Sequence, residues 1–213
     1  MLFKAYPFLL IVVHLPKLLL MFRWFWILFL KLKGWKTDTT FPLHLKKCVI
    51  IVAPHTSSED FIIGVALRSV FKIYDAKFLG KAELFKPPFG FIFRWLGGTP
   101  VERSSKHNMV EQVVAKFNAH ERFKLALSPE GTRQKVDKLK TGFYYIAKQA
   151  NVPIVMVGLD FAKKQAVCSE PFYTTHDEAA DFKHILAFFA PVKGKVPANG
   201  IAHLYEAALQ QQA

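Results

Sequence analysis

Short apolar runs that break off into polar loops containing glycine or proline constrain this chain more than any other feature. Lys47 to Ala53 (KCVIIVA) is rich in valine and isoleucine, too short for a helix, and reads as a strand buried on both faces. Phe123 to Leu127 and Pro153 to Leu159 (PIVMVGL) read the same way, with weaker strands at Tyr74 to Gly80, Thr99 to Glu102 and Gln165 to Cys168. Between them lie helical patterns at Asp60 to Val70, Ala82 to Trp95, Asn108 to His120 and Leu139 to Ala150. Two more, His176 to Phe189 and Ala202 to Gln211, close the chain. Strands alternating with helices predict an α/β fold, a mixed and mostly parallel sheet covered by helices on both faces. No repeat, low-complexity tract or linker divides residues 37–213, so a single α/β domain is expected there.

The amino end follows a different rule. Met1 to Lys36 holds six basic residues and no acid, the first acid being Asp38, and Phe8 to Leu30 is almost wholly Leu, Ile, Val, Phe or Trp. A helix needs about 20 apolar residues to span a bilayer, but Pro16 breaks this run and His14, Lys17 and Arg23 lie inside it. Two shorter helices, one before Pro16 and one from about Lys17 to Lys33, fit better. Residues 1–36 are therefore expected to form an in-plane or re-entrant membrane anchor, with a single tilted spanning helix as the alternative. Trp24, Trp26 and Trp35 are expected at the headgroup boundary. A cleaved signal peptide fits poorly, because only Lys4 leads the run and no small-residue cleavage site follows it. The basic residues after the run would keep the remaining chain on the cytoplasmic side, giving a membrane-associated protein.

Composition narrows the partners. Of 213 residues 52% are hydrophobic, which excludes a disordered chain. The net charge of +13 favours a polyanion, an anionic membrane or an acidic protein. Cys48 and Cys168 lack paired spacing, so reduced thiols are expected rather than a disulfide framework or zinc site.

Three polar loops, each at the end of an apolar strand, could carry chemistry. In His55-Thr-Ser-Ser-Glu-Asp60, His55 lies at the carboxyl end of a strand, where α/β sheets place ligands. On a continuous helix the two side chains would point about 140° apart. They can meet if His55 stays in the loop and the helix starts near Ser57 or Ser58, either of which can cap it. Asp60 would then fix the imidazole's tautomer and leave the opposite nitrogen as a base. A loop histidine near a helix-capping acid is the plainer alternative. In Ser128-Pro-Glu-Gly-Thr-Arg133, Gly131 permits a sharp turn and Arg133 offers a fork for phosphate. Gly97-Gly98-Thr-Pro-Val-Glu-Arg103 supplies a glycine turn, a short strand and another arginine; Val152-Pro153-Ile154 is the least specific feature.

In order and spacing these blocks resemble the PlsC-like 1-acylglycerol-3-phosphate acyltransferases, a glycerolipid acyltransferase family, over about residues 45–160. His55 and Asp60 fit the H-x4-D block. Lys81 and the stretch from Gly98 to Arg103 fit the second block, Glu130 to Arg133 the P-E-G-T-R block, and Val152 to Ile154 the fourth. The chain departs from the usual pattern at Ser128, at Gln134 and in Val101-Glu102-Arg103.

The resemblance implies transfer of a fatty acyl group from an acyl-CoA or acyl carrier protein thioester to a lysophospholipid hydroxyl, foremost 1-acyl-sn-glycerol 3-phosphate, giving phosphatidic acid. It implies His55 as the base and Asp60 as its orienting partner. Arg103, with Lys81 and Arg133, would grip the acceptor phosphate, with Gly98 and Thr132 among the substrate-binding positions. Amides near Gly131 would face the oxyanion, and Glu130 would order the loop or bind a glycerol hydroxyl. The thioester is already activated, so no metal, cofactor or acyl-enzyme is required; the acyl thioester is a co-substrate, and membrane lipids are the partners. Another lysolipid acceptor, an aminolipid or a remodelled phospholipid, is the alternative. A serine hydrolase lacks its G-x-S-x-G elbow here. A non-enzymatic basic membrane-binding module is a distant reading, and no nucleic-acid motif appears, so no nucleic-acid partner is expected.

Overall fold

In the computed structural model, residues 21–36, 40–101 and 106–210 are described. The apolar runs become strands, β1 (Lys47–Ala53), β2 (Ala76–Lys81), β3 (Gly98–Val101), β4 (Phe123–Leu127), β5 (Ile154–Asp160) and β6 (Gln165–Cys168). They form one sheet in the order β3-β2-β4-β1-β5-β6. β1 pairs in parallel with β4, Lys47 opposite Phe123, and with β5, Val49 opposite Ile154. β2 lies parallel to both β3 and β4, while β6 pairs antiparallel with β5 at one edge. The expected mixed, mostly parallel sheet with helices on both faces is therefore what forms.

The period of two along β1 divides the core. Val49, Ile51 and Ala53 face one layer, which holds Phe117, Phe143, Ile146 and Phe189. Those rings and aliphatics come from α4 (Lys106–Ala119), α5 (Gly142–Ala150) and α6 (Glu178–Phe189), with α7 (Ala202–Gln210) beside them. Cys48 and Ile50 face the other layer, with Ile63, Ala66 and Leu67 of α2 (Glu59–Val70). A helix α1 through residues 21–32 packs on that second side, as does α3 (Gly90–Trp95), whose Trp95 ring meets Phe22 at 4.9 Å.

Two expectations change. Trp35 is not at a headgroup boundary: it is buried beside Phe161, ring centroids 5.0 Å apart, in the same core layer as fully buried Leu30. The Lys36 N–H also bonds the Lys164 carbonyl at 2.8 Å, tying this end to the sheet edge. The helix expected over 82–95 is divided into a 3-10 turn (Ala82–Phe85) and the short α3, with Pro87 and Pro88 in the turn between them. No helix among the described residues is long and apolar enough to cross a membrane. The helix expected before Pro16 lies outside the described residues.

Candidate active site

The site grows out of a division between neighbouring strands. β1 and β4 lie side by side, but the helix after β1 (α2) packs on one face of the sheet and the helix after β4 (α5) on the other. The loops leaving the two strands therefore part, and the crevice between them is where open α/β sheets place their ligands. His55 enters it from β1 and Glu130 from β4.

His55 stays in the loop, and α2 begins at Glu59 after Ser58. The five-residue spacing thus closes rather than splaying around a helix. His55 Nδ1 lies 3.0 Å from Asp60 Oδ2, with Asp60 buried and the imidazole about a third exposed. The same oxygen accepts the Thr56 N–H at 2.7 Å and the Ser57 N–H at 2.8 Å. Of the two serines expected to cap the helix, Ser58 makes no side-chain cap bond, while the Ser57 hydroxyl accepts the Glu59 N–H at 3.2 Å. Asp60 satisfies the amides ahead of the helix, and its negative charge sits in the first turn, where the helix dipole favours it. An ionised carboxylate can only accept, so in the neutral imidazole the proton lies on Nδ1 and Nε2 is the free acceptor.

Glu130 is almost fully buried. Its Oε1 accepts the His55 N–H at 2.7 Å and its Oε2 the Ser128 hydroxyl at 2.7 Å. Burial holds its carboxyl above the usual glutamate range, against the pull of those two donors. The Ser128 departure in the third block thus has a local use, as a donor to Glu130. In the same loop Gly131 takes a left-handed conformation (φ +67), and its N–H bonds the Ser128 carbonyl at 3.3 Å. Of the amides near Gly131 expected to face an oxyanion, that of Gly131 itself is engaged within its own turn. Thr132 and Arg133 are exposed, and the Arg133 carbonyl accepts from Asn199 at 3.0 Å.

Lys81 closes β2 and Gly98 opens β3, so the second block is two to three strands away from His55. With strands about 4.8 Å apart, the carboxyl ends from β1 to β3 span roughly 15 Å. Gly98 has a packing reason to be glycine, since a Cβ there would stand 2.7 Å from the Phe85 ring and from the Phe93 carbonyl. Arg103 lies outside the described residues. Val152 to Ile154 sits at the amino end of β5, the far end of the sheet from His55, where the Pro153 carbonyl accepts the Val49 N–H.

One contributor has no signal near the motifs. Thr56 Oγ1 accepts the Val196 N–H at 3.1 Å, across 140 residues, and Lys195 pairs with Glu59 at 3.3 Å. Gly194 comes close enough to Thr56 that a Cβ there would stand 2.7 Å from Oγ1. Residues 194–196 thus brace the turn that carries His55.

A family model described as acyltransferase matches residues 36–160, well over half of the chain and including every one of these loops except 194–196. Neither a curated protein nor a solved structure gives a match.

Proposed function

The chain belongs to the acyltransferase family of PlsC-like domains, and from that premise we propose that it acylates the free hydroxyl of a lysophospholipid, 1-acyl-sn-glycerol 3-phosphate foremost, at a membrane surface. The observation that carries the reading is the 3.0 Å contact between His55 Nδ1 and Asp60 Oδ2 at the mouth of the β1–β4 crevice.

A lipid hydroxyl is a poor nucleophile at neutral pH, and a positioned imidazole suits the removal of its proton. His55 Nε2 takes that proton as the hydroxyl oxygen attacks the thioester carbonyl carbon. The developing imidazolium is stabilised by Asp60, whose position three hydrogen bonds hold in place. The tetrahedral oxyanion collapses, the carbon–sulfur bond breaks, and the departing thiolate takes the proton from His55. An ester and a free thiol remain, and the enzyme is returned unchanged. Arg103 and Lys81, following β3 and ending β2, are proposed to receive the acceptor phosphate, with Arg133 on the β4 side. The donor is an acyl-CoA or acyl carrier protein thioester, whose negative charge suits a chain of net charge +13. Residues 1–36 are proposed to hold this site against the cytoplasmic leaflet, where the acceptor resides.

The test is a panel. Membranes holding the expressed chain receive isotope-labelled acyl-CoA or acyl carrier protein with individual lysolipids, and the products are read by mass spectrometry. Labelled phosphatidic acid from 1-acyl-sn-glycerol 3-phosphate is the expected result. A labelled product from a different lysolipid alone would reassign the acceptor, and free fatty acid without any acylated lipid would refute acyl transfer.

A further inference from the structure

Exposed apolar surface is unevenly spread over the molecule. Of the seventeen large hydrophobic side chains exposed among the described residues, twelve belong to α1, the first turn of α2 and residues 84–95. All three segments lie on one side of the sheet. On the opposite side α4 to α7 contribute only Tyr145 and Leu209. Contiguous apolar patches beyond a few hundred Å² are rare on soluble monomers and mark interaction surfaces.

The segment at 84–95 is the unanticipated part. Leu84, Phe89, Phe91 and Trp95 are 44%, 65%, 68% and 53% exposed. This exposure is not slack in a loose loop, because the segment is fastened from inside. Phe85 is buried over Gly80 and Gly98, where a Cβ would stand 2.9 Å and 2.7 Å from its ring. Arg94 Nη1 donates to the Phe85 carbonyl at 2.9 Å with its guanidinium over the same ring. The turn follows the carboxyl end of β2, the same end of the sheet as His55. The Phe22–Trp95 contact joins it to α1, whose outer stripe of Met21, Phe25, Leu28 and Leu32 is also exposed.

We propose that residues 84–95 are a second membrane-insertion element, pressing Phe89, Phe91 and Trp95 into the same lipid monolayer as α1 and seating the β1–β4 crevice at the bilayer surface. The proposal rests on the lipid-acceptor reading above. Charge selects the occupant: exposed Lys86 and Arg94 flank this turn against one acid, Glu83, and Lys31 and Lys33 flank the α1 stripe with no acid among residues 21–36. A second copy of the chain would bring like-charged rims together, whereas anionic headgroups complement them.

The test places a nitroxide at residue 91 through Phe91→Cys in the full-length chain carrying Cys168→Ser, bound to phosphatidylcholine vesicles containing phosphatidylglycerol. Tyr145→Cys in the same background is the control. The label at 91 is expected to be open to oxygen and closed to a water-soluble nickel chelate, and the label at 145 the reverse. A label at 91 open to the chelate, shielded from both reagents, or dipole-broadened by a neighbouring copy would overturn the proposal. Phe89→Glu with Phe91→Glu should slow acylation of a vesicle-borne long-chain acceptor at least tenfold while sparing a short-chain acceptor dispersed in water. Equal loss on both acceptors would also refute it. The spectroscopic arm needs no turnover, so a lipid-immersed residue 91 on a chain inert towards every lysolipid would sustain the surface and sink the reaction instead.

Discussion

At the scale of single residues, the turn from His55 to Asp60 separates chemistry from support. His55→Ala removes the proposed base but leaves the amides of Thr56 and Ser57 bonded to Asp60. Turnover is expected to fall by roughly 10²–10⁴-fold, the usual worth of a positioned base, with the melting temperature nearly unchanged. Asp60→Ala strands two backbone donors as well as the imidazole. It should cost roughly 1–3 kcal/mol of stability, or roughly 2–12 °C in Tm for a chain of this size, in addition to activity. Parallel thermal melts and acyl-transfer assays of the two variants check the division; equal stability losses would contradict it. Glu130 carries the pH dependence. Burial raises its folded-state pKa, so it binds its proton more tightly folded than unfolded. Its contribution to stability is full below the ordinary glutamate value of about 4.3 and is lost as pH rises through the raised folded value. Glu130→Gln cannot titrate. The Tm of the parent chain, measured relative to this variant, should therefore decline as pH rises from about 4 into the neutral range, as differential scanning fluorimetry at several pH values would show.

Among the elements, what was legible in the sequence is what local pattern dictates. β4 and β6 begin and end at the expected residues, because a short apolar run bounded by polar turns has few alternatives. The His55–Asp60 contact was also legible, since it needs only a helix start placed after His55. The pattern of residues 82–95 predicts a largely helical segment, yet two adjacent prolines and the Phe85 ring seated over Gly80 and Gly98 divide it. The brace from residues 194–196 was not legible at all. Its bond from the Val196 N–H to Thr56 spans 140 residues, and although Thr56 lies within the H-x4-D block, Val196 stands in no recognisable pattern. Thr56→Val removes the acceptor while nearly preserving shape. Amide exchange at Val196 should quicken roughly 2- to 12-fold, the equivalent of a lost bond of about 0.5–1.5 kcal/mol, with a reduced kcat and little change in either KM. Lys195→Ala, which breaks a half-exposed ion pair and a cation–π contact with Phe161 at 5.9 Å but no backbone bond, should leave both nearly unmoved. Exchange mass spectrometry on the two variants tests whether the brace acts through its backbone bond.

Over the whole molecule, an apolar amino end cannot reveal from composition alone which of its side chains meet lipid and which complete the core. Packing decides, and it decides within a dozen residues. Trp24 projects from α1, 64% exposed, whereas Trp35 is 6% exposed in the layer formed by β1, β5 and α2. The two tryptophans should therefore fail in opposite ways. Trp35→Ala opens a cavity under the sheet and is expected to cost about 3–5 kcal/mol, lowering Tm without weakening attachment of the chain that remains folded. Trp24→Ala leaves the core untouched and should leave Tm unchanged. A large apolar side chain gains roughly 1.5–3 kcal/mol on leaving water, so its loss should weaken binding to anionic vesicles at least about tenfold. Vesicle flotation and thermal melts on both variants give a two-by-two outcome in which only the crossed pattern fits a helix that belongs to the fold on one face and to the bilayer on the other. Equal effects of both substitutions on flotation would mean that α1 leaves the sheet when the protein binds lipid, and the shared apolar surface with residues 84–95 would then be lost with it.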